Sequence, residues 1–279
     1  MKNTIAVLAF IFLVLSACKK SENRPQEITK DSAQVKQPEK WAVDSVIVDD
    51  SSKIANTLTG KYYNKLLVFP LIKDQTLLDS IYSGYKGINE YSKDGLKNYL
   101  DKDKKEYFDS LEKDMASFTK EEAQPFSGQE WYTSSSMDLK STANDYMHIQ
   151  YAVGSYAGGA HGNYGFFDKV FDLKNNKRLT LKDITTTSKK DLEEKLMKNI
   201  NTVHSGTTDS SGEVKNSEML LVDVIPATDN FYFDDKNLYF HYSPYEIAAY
   251  AAGDIIIPVS WEELKGTLNP EFKERMKIK

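Results

Sequence analysis

Apolar and polar residues alternate along one stretch near the middle of the chain. In "DYMHIQYAVGSY" the apolar residues Met147, Ile149, Tyr151 and Val153 fall at every second position, and polar His148 lies between two of them. Side chains of a β-strand point alternately to its two faces. The pattern therefore predicts a strand with one buried face, and His148 is expected on the more polar face, exposed or hydrogen-bonded.

Further strands are predicted where short runs of β-branched and aromatic residues end at turn residues. The runs before this strand are "WAVDSVIVDD", "YYNKLLVFPLI" and "EWYTSSSMDL", and "YGFFDKVFDL" follows it. Later in the chain, "NFYFDDKNLYFHY" predicts a hairpin with "DDKN" at its turn, and Asp254 to Val259 predicts another strand.

Two stretches have the spacing of helices. Large apolar residues recur at nearly helical intervals between Leu96 and Phe118. Ser188 can cap a second helix, which we expect to end near His204, and "WEEL" predicts a short closing helix. The sequence predicts an α+β fold, a mainly antiparallel sheet with packed helices, in a single domain of one or two lobes.

The start of the chain is typical of a bacterial lipoprotein. An uncharged run from Ile5 to Leu15 follows Lys2 and ends in "LSAC", so residues 1–17 predict a signal peptide and Cys18 a lipidated residue. Residues 18–40 are polar and predict a flexible tether. Residues 41–267 predict an α+β extracytoplasmic domain, and residues 268–279 a polar tail. The expected location is the envelope, with the protein anchored to a membrane and facing the periplasm or the cell surface.

Net charge and cysteine content limit the kinds of partner that the protein can bind and the ways in which its fold can be stabilised. The net charge is −5, with acidic and basic residues interspersed, which argues against a nucleic-acid partner. Because Cys18 is the single cysteine, an intrachain disulfide is excluded, and stability has to come from a packed core.

Familiar catalytic motifs are absent from the sequence. It contains no G-x-S-x-G, H-E-x-x-H, phosphate-binding or dinucleotide-binding signature. The histidines at 148, 161, 204 and 241 do not have the spacing of metal ligands. We therefore assign no catalytic residue, metal or cofactor, and expect a binding protein rather than an enzyme.

A glycine-rich stretch, "GGAHG", holds a histidine between two predicted strands. The glycines at 158, 159 and 162 permit a positive φ or a close backbone approach around His161. One interpretation is a turn in which the imidazole ties the loop to a neighbouring strand. The other is a ligand site, and a general-base role for His161 would need a partner such as Asp168 or Glu246.

A second stretch, "HYSPYEIAAYAAGD", combines aromatic, acidic and small residues. Tyr245, Glu246 and Tyr250 follow a proline that ends a strand, with four alanines around them. Such a segment is either an aromatic and carboxylate platform for a sugar or protein, or a closely packed crossover.

Together, "YAVGSYAGGAHGNYGFFDKVFDLKNNKRLTLKDI" and "FYFDDKNLYFHYSPYEIAAYAAGDIIIPVSWEEL" resemble the paired extracytoplasmic domains of unknown function of the anti-sigma-V factor and of a peptidoglycan deacetylase. In the former, that region binds lysozyme. The resemblance implies an envelope location and a lysozyme-type hydrolase or peptidoglycan fragment as a possible partner. The resemblance implies neither the activity of the anti-sigma factor nor that of the deacetylase. The candidate ligand-binding residues are Gly158, Gly159, His161, Gly162, Tyr245, Glu246 and Tyr250.

Three functions follow as expectations. The first is a lipid-anchored, non-catalytic binding domain for a lysozyme-type hydrolase or a peptidoglycan fragment. The alternatives are a glycan-acting hydrolase that uses His161 and a structural component of the cell envelope.

Overall fold

The computed structural model describes residues 43–54, 58–119 and 128–279. These residues belong to one compact unit. The predicted signal peptide (1–17), the lipidation site Cys18 and the tether (18–40) lie outside the described residues, so these assignments stay predictions.

Eleven strands and five helices are found in the described ranges, together with short 3₁₀ turns. In chain order the elements are β1 (Asp44–Ile54), β2 (Leu58–Val68), α1 (Gln75–Ile81), α2 (Lys93–Ala116), β3 (Gln129–Ala143), β4 (Tyr146–Tyr156), β5 (Asn163–Asp172), β6 (Lys177–Arg178), α3 (Leu181–Ile184), α4 (Lys189–Asn199), β7 (Thr208–Asp209), β8 (Gly212–Glu213), β9 (Phe231–Phe233), β10 (Asn237–Tyr242), β11 (Ile255–Ser260) and α5 (Pro270–Met276).

The strands form a six-stranded sheet in the order β1-β2-β3-β4-β5-β6, a three-stranded sheet in the order β11-β10-β9, and the small pair β7-β8. Neighbouring strands are antiparallel except β2 and β3, which run parallel and are joined through α1 and α2. The predicted fold class, α+β with a mainly antiparallel sheet, is confirmed.

One face of the large sheet packs against the first two helices. The helix predicted between Leu96 and Phe118 is confirmed as α2, which begins after Ser92, whose hydroxyl accepts a hydrogen bond from the amide of Gly95 at 3.0 Å. Its apolar stripe buries Leu96 and Leu100 against the sheet. The helices leave parts of β4 and β5 uncovered, where Val153 and Phe167 are 42% and 44% exposed. The uncovered part of the sheet therefore forms an open surface.

The other face of the large sheet packs against the three-stranded sheet and the C-terminal helices. The predicted cap at Ser188 is confirmed, and α4 buries Leu192 and Leu196, although it ends at Asn199 and a single 3₁₀ turn follows. The hairpin with "DDKN" at its turn is confirmed as β9-β10.

The end of the chain differs from its prediction. Residues 261–267 form turns rather than the predicted helix at "WEEL", and helix α5 lies within residues 268–279, which the sequence predicts as a polar tail. Phe272 is 2% exposed and packs against the rings of Tyr146, Phe233 and Trp261. The apolar pattern did not predict this helix, because Phe272 is its single buried side chain.

His148 also departs from the simplest expectation. It is hydrogen-bonded, as expected, but it is 7% exposed, because the three-stranded sheet covers the face of β4 on which it lies. No helix within the described ranges is both long and apolar enough to cross a membrane.

Candidate functional site

The glycine-rich loop connects β4 to β5, and its glycines are required by the backbone. Gly158 and Gly159 have φ values of 89° and 98°, a region that residues with a Cβ rarely adopt. A Cβ on Gly162 would lie 2.5 Å from the hydroxyl oxygen of Tyr132 and 3.0 Å from the carbonyl oxygen of Ser155. The turn between two strands predicted from "GGAHG" is therefore present, and its glycines fit it.

The imidazole of His161 joins this loop to the second candidate stretch. Its Nδ1 lies 2.9 Å from the carbonyl oxygen of Gly162, and its ring stacks on Tyr250 with centroids 3.8 Å apart. Its Nε2 lies 3.4 Å from the hydroxyl oxygen of Tyr245. Because a carbonyl oxygen only accepts hydrogen bonds, Nδ1 is the donor. Nε2 is then the ring atom that faces the hydroxyl of Tyr245.

Tyr245 is held in an unusual backbone conformation. Its φ is 68°, which costs a residue with a Cβ about 1 kcal/mol or more, and its side chain is 56% exposed. Its backbone amide donates to the carbonyl oxygen of Ala248 at 3.1 Å. The turn thus keeps an exposed aromatic ring beside His161 at an energetic cost. Strained residues of this kind cluster at functional sites.

Neither predicted acidic partner takes up the role suggested for it beside His161. Asp168 places one carboxylate oxygen 2.6 Å from Nε2 of His148 and the other 2.6 Å from Nδ1 of His241. Glu246 accepts a hydrogen bond from the backbone amide of Ser243 at 2.8 Å, within its own turn. Asp168 therefore orients two buried histidines, and the carboxylate of Glu246 is tied to its own backbone.

A groove of about 570 Å³ crosses the uncovered part of the large sheet. Its lining runs from Asn64 and Asp103 at the α2 end to Glu246 at the other, past hydroxyl and amide side chains of β3 to β5. The apolar side chains of Val153 and Phe167 form part of its lining. No lysine, arginine or histidine is found among its lining residues in the described part of the chain.

The aromatic cluster of the candidate site stands beside this groove. Tyr164, a lining residue, packs edge-on to Tyr250 with ring centroids 5.9 Å apart. Tyr245 lies in sequence between two further lining residues, Pro244 and Glu246. We call the rings of His161, Tyr245, Tyr250 and Tyr164 the aromatic rim.

The α2 end of the groove is built from linked polar groups. The hydroxyl of Tyr62 donates to Asp103 at 2.7 Å, and the Asn64 amide nitrogen lies 3.3 Å from the same hydroxyl oxygen. Burial raises the pKa values of Tyr85 and Tyr99 to about 12, so both phenols are neutral at physiological pH. This end therefore presents acceptors and uncharged rings.

The side chains that commonly ligate metals are spread over the part of the chain that the structure describes. Among the described residues there is no group of three or more histidine, cysteine, aspartate or glutamate side chains that could hold a metal ion. The histidines at 148 and 241, distant in sequence, do meet in space, but on the buried carboxylate of Asp168.

The structure brings five of the seven candidate residues together. Gly162, His161, Tyr245 and Tyr250 contact one another, and Glu246 follows in the same turn. Gly158 lies instead near Trp131, where a Cβ would be 3.5 Å from the indole ring, and Gly159 accepts a hydrogen bond from Tyr156.

Sequence reasoning missed the α2 end of the groove, although two signals pointed to it. Asn64 interrupts the buried face of β2 between Tyr62 and Leu66, and Asp103 interrupts the apolar stripe of α2. A polar residue at a core position of a periodic pattern is an informative exception.

A family model and two solved structures are similar to this chain. Residues 172–262 match the model of a family described as "Protein of unknown function (DUF3298)". The structure is similar to the crystal structure of a DUF3298 family member from Bacteroides fragilis, with a TM-score of 0.68 and 23% identity over 86% of this chain and 98% of that chain. It is also similar to a DUF3298 family protein from Pseudomonas aeruginosa, with a TM-score of 0.55 and 13% identity over 83% of this chain and 96% of that chain.

No curated protein matches this chain. At these identities the two solved structures establish the fold alone. The resemblance to a domain of unknown function, predicted from the sequence, is confirmed.

Proposed function

We propose that this chain, which carries a DUF3298 domain at residues 172–262, is a non-catalytic binding protein of the cell envelope whose groove takes a glycan such as a peptidoglycan fragment. The signal peptide and Cys18 lipidation predicted from the sequence belong to this proposal, since they place the domain on a membrane facing the periplasm or the cell surface.

The observation that carries the proposal is the groove bordered by the aromatic rim. Sugar rings have apolar C–H faces, which pack on aromatic rings, and hydroxyl edges, which need hydrogen-bond partners. The rim supplies exposed rings, and Asn163, Ser155 and Thr133 supply polar side chains along the groove. This combination suits a saccharide better than a wholly apolar ligand.

A binding role is supported by what the candidate catalytic groups do. A glycosidase uses two carboxyl groups on either side of the bond that it breaks. In this groove, Asp103 accepts a hydrogen bond from Tyr62, and Glu246 accepts one from the backbone of Ser243. Each carboxylate thus takes part in local structure through one hydrogen bond, which favours a binding role over hydrolysis.

A lysozyme-type protein is the second candidate ligand. Val153 and Phe167 expose apolar surface within the groove, and exposed aromatic side chains often anchor protein partners. The net charge of −5 would also attract a basic protein, although such attraction weakens with salt.

Calorimetric titration of the purified full-length protein with peptidoglycan fragments, and separately with lysozyme, tests these proposals. The Val153→Trp variant fills the groove, and Ile47→Trp is its control because Ile47 is an exposed position of the same sheet outside the groove lining. Glycan affinity should fall at least about tenfold, a change of about 1.4 kcal/mol, in the first variant only.

The outcomes separate the ligand classes. Saturable glycan binding that persists at high salt and is lost in Val153→Trp supports the glycan proposal. Binding of lysozyme alone, blocked by the same substitution, would replace it by the protein partner. Equal binding by both variants, or glycan turnover, would contradict a non-catalytic groove.

A further inference from the structure

One buried acceptor at the α2 end of the groove has no donor. Asn64 lines the groove and is 5% exposed, and its Oδ1 has no hydrogen-bond partner among the described residues. A buried polar atom without a partner destabilises the protein, because the atom has lost its hydrogen bonds to water. A polar group supplied by a ligand would remove that destabilisation.

The orientation of the Asn64 amide follows from counting protons. The hydroxyl of Tyr62 has one proton, which it donates to Asp103, because an ionised carboxylate only accepts. The Tyr62 oxygen must then accept its second hydrogen bond, so the NH₂ group of Asn64 faces it at 3.3 Å. The carbonyl oxygen of Asn64 is therefore the atom left without a partner.

The charges around this atom are negative. Asp103 and Glu246 are the charged side chains of the groove lining. Asp103 forms no ion pair among the described residues, whereas its neighbour on the helix, Lys102, pairs with Glu106 at 3.6 Å. Lys86 and Lys102 line a different cavity, of about 340 Å³, which shares Tyr99 and Asp103 with the groove. A ligand group at the α2 end thus meets a carbonyl oxygen without a hydrogen-bond partner and a carboxylate that accepts from Tyr62 but has no ion-pair partner among the described residues.

We propose that the α2 end of the groove, formed by Asn64, Asp103, Tyr85 and Tyr99, binds a primary ammonium group of the ligand. The inference rests on the proposed function and names the ligand class, an amine-bearing glycan. An ammonium group has three donors and no acceptor, which matches the two acceptors here. The neutral rings of Tyr85 and Tyr99 add a surface that attracts cations.

Two parts of a wall fragment carry such a group, a 2-amino sugar without its acetyl group and the side-chain amine of a wall peptide. Both sources share the ammonium chemistry. An acetylated amine or an anionic ligand would leave Asp103 uncompensated, so the site should discriminate against both.

The test compares glucosamine tetramer with N-acetylglucosamine tetramer by calorimetric titration of the full-length protein at slightly acidic pH. The amine form should bind about tenfold more tightly, since hydrogen bonds between charged groups are stronger than those between neutral groups. Asp103→Asn and Asn64→Leu should each abolish this preference. Asp101→Asn should keep it, because Asp101 lies on the same helix, pairs with Lys97 and is outside the groove lining.

A second arm compares a wall disaccharide-peptide whose side-chain amine is free with its acetylated form. A preference for the free amine in either arm that disappears in Asp103→Asn supports the proposal, and the arm with the larger preference identifies the source. Circular dichroism of each variant checks that it is folded.

Two results would overturn the inference. Equal groove binding of amine and acetylated ligands, or a preference that survives in Asp103→Asn, rejects ammonium recognition while the glycan-binding groove stands. No binding of any of the four ligands rejects the groove proposal as well.

Discussion

Asp168 and His241 join the two principal sheets by a buried contact, with Oδ2 of the carboxylate 2.6 Å from Nδ1 of the ring. Asp168 lies on β5 of the large sheet and His241 on β10 of the smaller one, and their side chains are 0% and 1% exposed. His241 also directs Nε2 at Asp254, 3.2 Å away. Because both ring nitrogens face carboxylates, both act as donors and the ring is a buried cation.

The first prediction is a loss of stability at alkaline pH. Burial alone would lower the pKa of His241, but its hydrogen bonds to Asp168 and Asp254 outweigh burial and raise the pKa to about 9, from 6.5 in an unfolded chain. The stabilisation is therefore complete below about pH 6.5 and is lost as pH rises towards 9. It amounts to about 3 kcal/mol.

Urea unfolding between pH 6 and 9.5 measures this change, with His241→Gln as the reference. The reference is needed because burial lowers the pKa of Lys169 to about 8, which gives the opposite slope at the upper end of the range. The difference in free energy of unfolding between the two proteins should shrink as pH rises. A difference that stays constant would show that His241 is not charged in the folded protein.

Removing the charge of Asp168 should destabilise the protein strongly. Burial would raise the pKa of this carboxyl, but hydrogen bonds from His148 and His241 lower it to about 2, so it is ionised at physiological pH. Asp168→Asn leaves a buried cation without its partner, and we expect a loss of about 3–5 kcal/mol in the free energy of unfolding at pH 7. Asp254→Asn, whose side chain is 36% exposed, is the matched control and should cost about 1 kcal/mol. Equal losses would contradict the central role of Asp168.

Two substitutions of Tyr245 should separate the strain of its backbone from the contribution of its ring to binding. With φ at 68°, replacement by glycine relieves backbone strain, whereas replacement by alanine keeps it. Tyr245→Gly should therefore be about 1 kcal/mol more stable than Tyr245→Ala in thermal unfolding. Both variants lack the exposed ring and should bind glycan equally weakly. Full binding by either variant would remove Tyr245 from the aromatic rim.

The backbone conformation of the glycine loop can be tested at Gly159, where an added side chain would meet no neighbouring atom. A Cβ on Gly159 would meet no atom within 4 Å, so the cost of Gly159→Ala comes from its φ of 98° and should be about 1 kcal/mol in chemical unfolding. Gly84 has equally open surroundings without a left-handed φ, and Gly84→Ala should be neutral or slightly stabilising. A neutral Gly159→Ala would mean that the loop adopts another conformation.

Local patterns in the sequence predict most of the elements of this fold. Alternation identified β4, helical spacing identified α2, and Ser188 identified the start of α4, because each signal lies within one element. Helix α5 was missed since Phe272 is its single buried side chain.

The candidate site was predictable in part for the same reason. His161, Tyr245 and Tyr250 were named as candidate ligand-binding residues from two unusual stretches, and the structure places their side chains in contact. The groove itself combines Asn64 with Glu246, residues far apart in the chain, and depends on where helix α2 ceases to cover the sheet. The periodicity of apolar residues indicates which face of a strand or helix is buried. It does not indicate where along a sheet the helix that covers it ends.

The most direct test of the proposed function is an NMR titration of the protein, labelled at its tyrosine rings, with a peptidoglycan glycan fragment. Tyr85, Tyr99 and Tyr164 line the groove, whereas Tyr239 lies on β10 outside that lining. The groove proposal predicts saturable shifts at the three groove tyrosines and at Tyr245, with Tyr239 unchanged. Shifts confined to tyrosines outside the groove, or no shifts at saturating fragment, would contradict it.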